Sequence, residues 1–316
     1  KRVIVEAVPR DGVAVLNADD PNVSAMARHC SGSVIYFSMD PEHDRLKFQA
    51  SRGRRAVTVE QGRNGEKIVL RHGRKSMDLV WTHLIPATFE GRARMNVQNA
   101  LAATAAAWAA GAHLHDIRQG LRTFTTSYFM APGRLNMFEL DGYRVVVDYA
   151  HNPPAMEALG EFVERLSEPS AGGARASVTG RRIGVVATAG DRRDEDIREI
   201  GRVSARYFDE IVIREDANNR GRPRGNTAAL IAEGIDSAGP ERRVGPVTTV
   251  LDELEATRAA LDIAADGDVV VVCVDHANQV WKELQRRQHG GASESPDGLR
   301  AVVGVLDADD EVDLDL

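Results

Sequence analysis

At about 150 residues per domain, a chain of 316 residues divides into roughly two domains. Apolar residues make up 43% of it and charged residues 28%, enough of each to close a core and wet a surface, which excludes a disordered chain. Six of the 47 acidic residues lie in the last ten positions, so the net charge of −7 falls to about −1 without them; a near-neutral body with no apolar run of about 18 residues favours neither nucleic acid nor a membrane as partner.

The chain opens on Lys1-Arg2-Val3-Ile4-Val5 with neither an initiator Met nor a signal-like apolar stretch, and reads as a piece of a longer protein. Short apolar runs at 13–16 and 34–37 are followed by alternating segments 56–60 and 67–71 around Arg63-Asn64-Gly65, which predict a hairpin. The run 99–111 predicts a helix by its alanines, with Gly111 as its stop, and its small side chains permit close backbone approach. Ordinary packing explains the alanines but not Asn99 at the start. A turn at Ala131-Pro132-Gly133-Arg134 marks the domain boundary.

Downstream, strands at 143–147, 183–187, 211–213, 247–251 and 269–274 alternate with helices at about 155–166, 195–207, 227–235 and 254–264. Continuous Val/Ile runs between amphipathic helices predict a Rossmann-like α/β domain with a mostly parallel sheet. The segment 289–316 reads as a linker and an acidic, solvated tail. Cys30 and Cys273, far apart among apolar neighbours, predict two buried thiols in a cytoplasmic protein, with no metal cluster.

In such a sheet ligands lie beyond the carboxyl ends of the strands. Those ends are consistently polar here: Asp148 to Pro154, Thr188 to Asp194, Arg214 to Arg222, and Asp275-His276. Asp148, at a strand end before two prolines, suits a ribose or a cation, or else caps the next helix. His151 follows it, although a lone His is more often structural. Arg192 and Arg193 at a helix start suit a carboxylate or phosphate, or are helix-end charge. Glu215 and Asp216 near Arg220, Arg222 and Arg224 form either a surface ion-pair network or a site for a zwitterion with a cationic side chain. No Gly-x-x-x-x-Gly-Lys-Ser/Thr loop occurs: none of the five lysines follows a glycine-rich stretch.

Six blocks, Val15 to Pro21, Ile85 to Gly91, Asn96 to Ala103, Pro132-Gly-Arg134, Asp148 to Pro153 and Gly190-Asp-Arg192, resemble in content and order the Mur-type ATP-dependent amino-acid ligases. Within them, Pro132 to Asn136, Asp148 to Pro153, Gly190 to Ile197 and Arg214 to Arg222 look most like the C-terminal, Mur-ligase-like half of the cyanophycin synthetase family. The resemblance implies residues 1–130 as the C-terminal portion of a central, ATP-binding domain and 131–288 as the Rossmann-like domain. It implies a ligase that phosphorylates a carboxylate with ATP and Mg²⁺ and lets an amine attack the acyl phosphate. In this family the amine is that of L-arginine and the acceptor is the β-carboxyl of aspartate in cyanophycin, a multi-L-arginyl-poly-L-aspartate chain; the full-length enzyme is expected to be a homo-oligomer.

By motif, the resemblance gives Asn99 to the adenine, Arg134 and Asp148 to ribose and phosphates, and His151 to the same crevice. Arg192 then binds the amino acid's carboxylate, and Glu215, Asp216 and Arg220 select its side chain. The two lobes are expected to clamp the nucleotide. The phosphate loop and first Mg²⁺ ligands lie upstream of Lys1 in such proteins, so the chain by itself is expected to be inactive. The alternatives are another Mur-superfamily ligase, of the peptidoglycan-precursor or folylpolyglutamate type, and a non-catalytic assembly module.

Overall fold

The computed structural model describes residues 1–168 and 178–289; the expected linker and acidic tail, 289–316, lie outside them from residue 290 on. The chain forms two compact units, one ending at Phe124 and one beginning at Thr125.

The first unit runs α1 (Arg2–Glu6), β1 (Val13–Asn17), α2 (Pro21–Ala25), β2 (Ser33–Ser38), α3 (Asp44–Ser51), β3 (Arg55–Gly62), β4 (Gly65–His72), β5 (Lys75–Trp81), α4 (Arg94–Ala109) and α5 (Leu114–Thr123). Its sheet has the order β1-β2-β3-β4-β5, parallel through β3 and antiparallel from there on. The expected hairpin is β3–β4, with Gly62 opposite Gly65 across its turn. Helix α4 starts earlier than its alanines suggest, where Arg94 forks onto both oxygens of Glu66 at 2.6 and 2.8 Å. Its buried side, Val97, Ala100, Leu101, Thr104 and Ala105, packs across β1 to β3, and the stop is Gly111 at φ +85°.

The second unit runs β6 (Asn136–Leu140), β7 (Tyr143–Asp148), α6 (Pro153–Leu166), β8 (Arg182–Val186), α7 (Asp194–Tyr207), β9 (Glu210–Ile213), α8 (Asn226–Asp236), β10 (Val247–Thr249), α9 (Glu253–Asp262), β11 (Val269–Cys273) and α10 (Ala277–Gln288). The sheet order is β10-β9-β8-β11-β7-β6, every pair parallel except β6–β7. Every predicted strand and helix of this unit is present; β6 and α10 are additions. Val145, Val147, Ile183, Val185, Val270 and Val272 form one core with α9 and α10, and the intervening residues point to the other side, where α6, α7 and α8 pack on one another. Glu283 ties α9 to α10: buried, it accepts from Arg258, Arg286 and Arg287. Burial would raise its carboxyl, but the three guanidiniums outweigh that and hold it at about 2.

The boundary falls a few residues before the Pro132 turn because 125–130 folds with the second unit. Asn136 Nδ2 donates to Thr126 O at 2.7 Å, and the Tyr128 ring stacks on Trp281 with centroids 4.0 Å apart. The expectation for the cysteines holds at Cys273, which is buried with its thiol pushed up to about 12, and is corrected at Cys30, which is only half-buried.

Candidate active site at the rim of the second sheet

The chain leaves β7, β8 and β9 toward one face of the second sheet and β11 toward the other. Neighbouring strands β7 and β11, with Asp148 paired to Cys273, therefore part their loops at a crevice, where ligands of open α/β sheets bind. The turn 132–136 lies over it. Asn136, 1% exposed, accepts from Gly133 N–H at 2.7 Å and donates to the carbonyls of Thr126 and Ala131. Gly133 and Leu135 both have positive φ, at +68° and +50°, which turns the Leu135 N–H onto Asp148 Oδ2 at 2.8 Å.

Asp148 does not cap α6. Asn152 does, accepting from Ala155 N–H at 3.0 Å, with Pro153 opening the helix. The Asp148 carboxylate is thus held beside the crevice. Burial raises its pKa, against the opposing pull of the Leu135 and Ala150 N–H groups, Arg134 and His151. Arg134 is exposed, its guanidinium carbon 5.3 Å from the Tyr149 ring centroid. His151 Nδ1 is 2.9 Å from Tyr149 O. A carbonyl only accepts, so the proton belongs on Nδ1 and Nε2 remains as an acceptor. Thr188 donates to His151 O at 2.8 Å, joining this loop to the next.

The loops after β8 and β9 pack backbone to backbone. A Cβ on Gly190 would lie 2.2 Å from Asn219 O. Arg222 clamps the pair, donating to Gly190 O at 2.8 Å and Arg192 O at 2.9 Å and pairing with Asp194 at 2.8 Å. Arg220, at φ +50°, reaches Asp191 at 2.9 Å. Arg192 is exposed, and its guanidinium makes no hydrogen bond or ion pair among the described residues; Arg193 pairs with Asp196 at 2.7 Å as helix-end charge.

The expected pair of open carboxylates is corrected. The Glu215 side chain is fully buried and accepts from Gly225 N–H, Ala228 N–H and Asn219 Nδ2 at 2.8 to 3.0 Å. Burial would raise its pKa, but these donors lower it. Glu215 holds the loop, and the half-buried Asp216, accepting from Asn218 N–H at 3.0 Å, is the carboxylate left near the surface. Asn219 Oδ1 is buried without a hydrogen-bond partner among the described residues, an acceptor in want of a donor.

In the first unit, Asn99 is exposed on α4 and donates to Asn96 Oδ1 at 3.2 Å. Near it Gln98 reaches Asp19 at 3.4 Å, and Asp19 also accepts from Ser38 Oγ and Met39 N–H. Asp20, next along, caps α2. Asn99 therefore stands at the carboxyl end of that sheet.

Residues 133–274 match the glutamate ligase domain of the Mur ligases. The second unit carries a Mur ligase C-terminal domain. The chain is 40% identical over 287 residues to the cyanophycin synthetase of Crocosphaera subtropica, covering 91% of this chain and 31% of that one. It is 39% identical over 293 residues to the one of Trichormus variabilis, 91% and 30%. A UDP-N-acetylmuramoyl-L-alanyl-D-glutamate–2,6-diaminopimelate ligase of Geobacillus kaustophilus is 28% identical over 266 residues, 83% of this chain and 46% of that one. The chain thus spans about a third of the length of the cyanophycin synthetases it matches. Among solved structures, a murein peptide ligase of Psychrobacter arcticus superposes with TM-score 0.57 at 16% identity (93% and 54% of the chains). A folylpolyglutamate synthase of Thermotoga maritima does so with 0.52 at 17% (86% and 60%). The fold is that of the Mur ligases.

The Mur ligase domain also carries a polar cluster whose burial the sequence did not show. Arg214, 1% exposed, donates to Cys273 O at 3.1 Å and to Asp275 at 2.8 Å. Glu253 accepts from Asp275 N–H at 2.9 Å and lies 3.0 Å from His276 Nδ1. The cluster ties the end of β9 to that of β11 across β8, which lies between them. The only sequence signal for it is a charged residue directly after each apolar run.

Proposed function

We propose that this chain is the Mur-ligase-like part of an ATP-dependent amide ligase that joins L-arginine to the β-carboxyl of aspartate in cyanophycin, in the cytoplasm. What carries the reading is the 40% identity to a cyanophycin synthetase along nine-tenths of the chain. The rim of the second unit supports it. In this reading Arg134 and Asp148 bind the nucleotide's ribose and phosphates at the β7–β11 crevice, and Asn99 is carried as the adenine contact by the family resemblance alone. Arg192 takes the amino acid's carboxylate, while Asp216 and the orphaned Asn219 Oδ1 accept from its guanidinium. Glu215 positions that loop and Arg220 braces it.

ATP supplies a phosphoryl group to the acceptor carboxylate; the amine nitrogen then bonds the acyl carbon, the C–O bond to phosphate breaks, and phosphate leaves. Such chemistry rests on positioning and charge neutralisation. Arg134, projecting from a rigid turn, neutralises phosphate charge, and His151 Nε2 takes the proton the amine sheds. Mg²⁺ accompanies the nucleotide. Among the described residues no three His, Cys, Asp or Glu side chains converge to hold a metal ion.

The test is ATP consumption by the whole protein with arginine, lysine, glutamate or diaminopimelate. A hydrogen-bonding pocket built for a planar guanidinium predicts a kcat/KM for arginine about 10²-fold or more above that for lysine. Preference for glutamate or diaminopimelate would replace this reading with a folylpolyglutamate or peptidoglycan-precursor ligase. ATP consumption with none of the four would favour an assembly module.

A further inference from the structure

A cavity of about 370 Å³ opens at the end of the first unit's sheet opposite Asn99. Asn99 is near the start of α4, beside the carboxyl ends of the parallel strands. The cavity lies where β2 and β3 begin and β4 ends, near Trp108 in the last turn of α4. Arg10, Arg54, Arg55 and His72 line it together with Ser31 and Ser33, and no Asp or Glu is in the lining; Asp11, next to Arg10 in the chain, is not part of it.

Its walls are fixed. A Cβ on Gly32 would lie 2.4 Å from Gly12 O, and Ser33 N–H donates to Gly12 O at 3.0 Å, which joins the Arg10 side to the start of β2. Arg55 donates from Nη1 to Trp108 O at 3.0 Å with its guanidinium carbon 5.2 Å from the Trp108 ring centroid, and His72 meets that ring edge-on at 6.2 Å. Arg10 and Arg54 differ: both are exposed, and their guanidiniums have no hydrogen bond or ion pair among the described residues. Elsewhere in this unit Arg71 pairs with Glu60 at 2.7 Å and Arg94 with Glu66 at 2.6 Å. Three guanidiniums around one cavity without a carboxylate repel one another and suit an anion that brings the missing charge.

We propose that this cavity is a second ligand site, for a small oligoanion with two or more phosphate or carboxylate groups, gripped by the Arg10 and Arg54 forks against Arg55. It is independent of the reading of the second unit's rim. The probes are pyrophosphate and tetra-aspartate, titrated by calorimetry into the 316-residue chain. At least one is expected to bind, and the tighter of the two identifies the phosphate or the carboxylate source. An Arg10→Ser, Arg54→Ser double variant is expected to bind it about tenfold or more weakly, and Arg54→Ser alone less so. Neither substituted side chain is bonded to any other among the described residues, so the variants keep the fold, as circular dichroism would verify. Absence of binding by the unaltered chain, or equal binding by the double variant, would overturn the proposal.

Discussion

Asp148→Asn is expected to lower amino-acid-dependent ATP consumption of the whole protein by about 10²- to 10³-fold while its melting temperature at neutral pH stays the same or rises. The amide keeps the shape of the carboxylate, and its oxygen still accepts from Leu135 N–H, which Asp148 binds at 2.8 Å. What it removes is a charge whose folded-state pKa is raised, first of all by burial. A raised carboxyl pKa means that the folded state holds the proton more tightly than the unfolded one. Stability therefore falls as pH climbs from the ordinary carboxylate range through the raised value, and at neutral pH the charge opposes folding. A group retained against its own stability cost is one kept for chemistry. Steady-state kinetics and thermal melts on the same preparation decide it: unchanged activity would remove Asp148 from the site, and joint loss of activity and melting temperature would make it structural.

Glu215→Ala and Asp216→Ala are adjacent substitutions expected to fail differently. The first strips a buried acceptor from Gly225 N–H, Ala228 N–H and the Asn219 amide. Leaving these donors unpaired costs about 3–5 kcal/mol, and the loop after β9 loses its anchor. Asp216 is half-buried, and among the described residues its carboxylate accepts only from Asn218 N–H, so its loss is expected to change stability by less than about 1 kcal/mol. It should instead raise the KM for the amino acid about tenfold, the value of one charge-assisted contact. Urea unfolding and amino-acid titrations of both variants separate the roles. Glu215→Ala that unfolds like the unaltered protein, with only its KM changed, would restore the two-carboxylate reading.

The alternation of Val/Ile runs with amphipathic helices made the second unit legible, because a parallel sheet covered on both faces leaves no other explanation for strands such as 269–273. The β6–β7 hairpin had a signal, Asp141-Gly142, whose φ values of +43° and +85° fit a tight two-residue turn. It was obscured because β6 is an edge strand of mixed character. Helix α10 was hidden by its polar face, with Val280, Trp281 and Leu284 as its apolar stripe. Burial of charged residues was the largest loss. Arg214 and Glu215 follow an apolar strand and read as open rim, yet each is 1% exposed. That follows from the loop ending at Gly225, which turns its N–H back onto Glu215 at 2.8 Å, and from Arg214 reaching across to β11. Contacts of such sequence separation leave no local pattern. For Asp148 and Asn152, one residue type decided the matter: both are good caps, and the chain uses the one directly before Pro153.

Binding of nucleotide and amino acid at the loops on the carboxyl end of the second sheet underlies these expectations. Hydrogen exchange of the whole protein, with and without a non-hydrolysable ATP analogue and arginine, tests it directly. Slowed exchange is expected at 131–136 and 148–152 on adding the nucleotide, extending to 188–193 and 214–222 on adding arginine. Unchanged exchange in all four segments while both ligands are bound would contradict it.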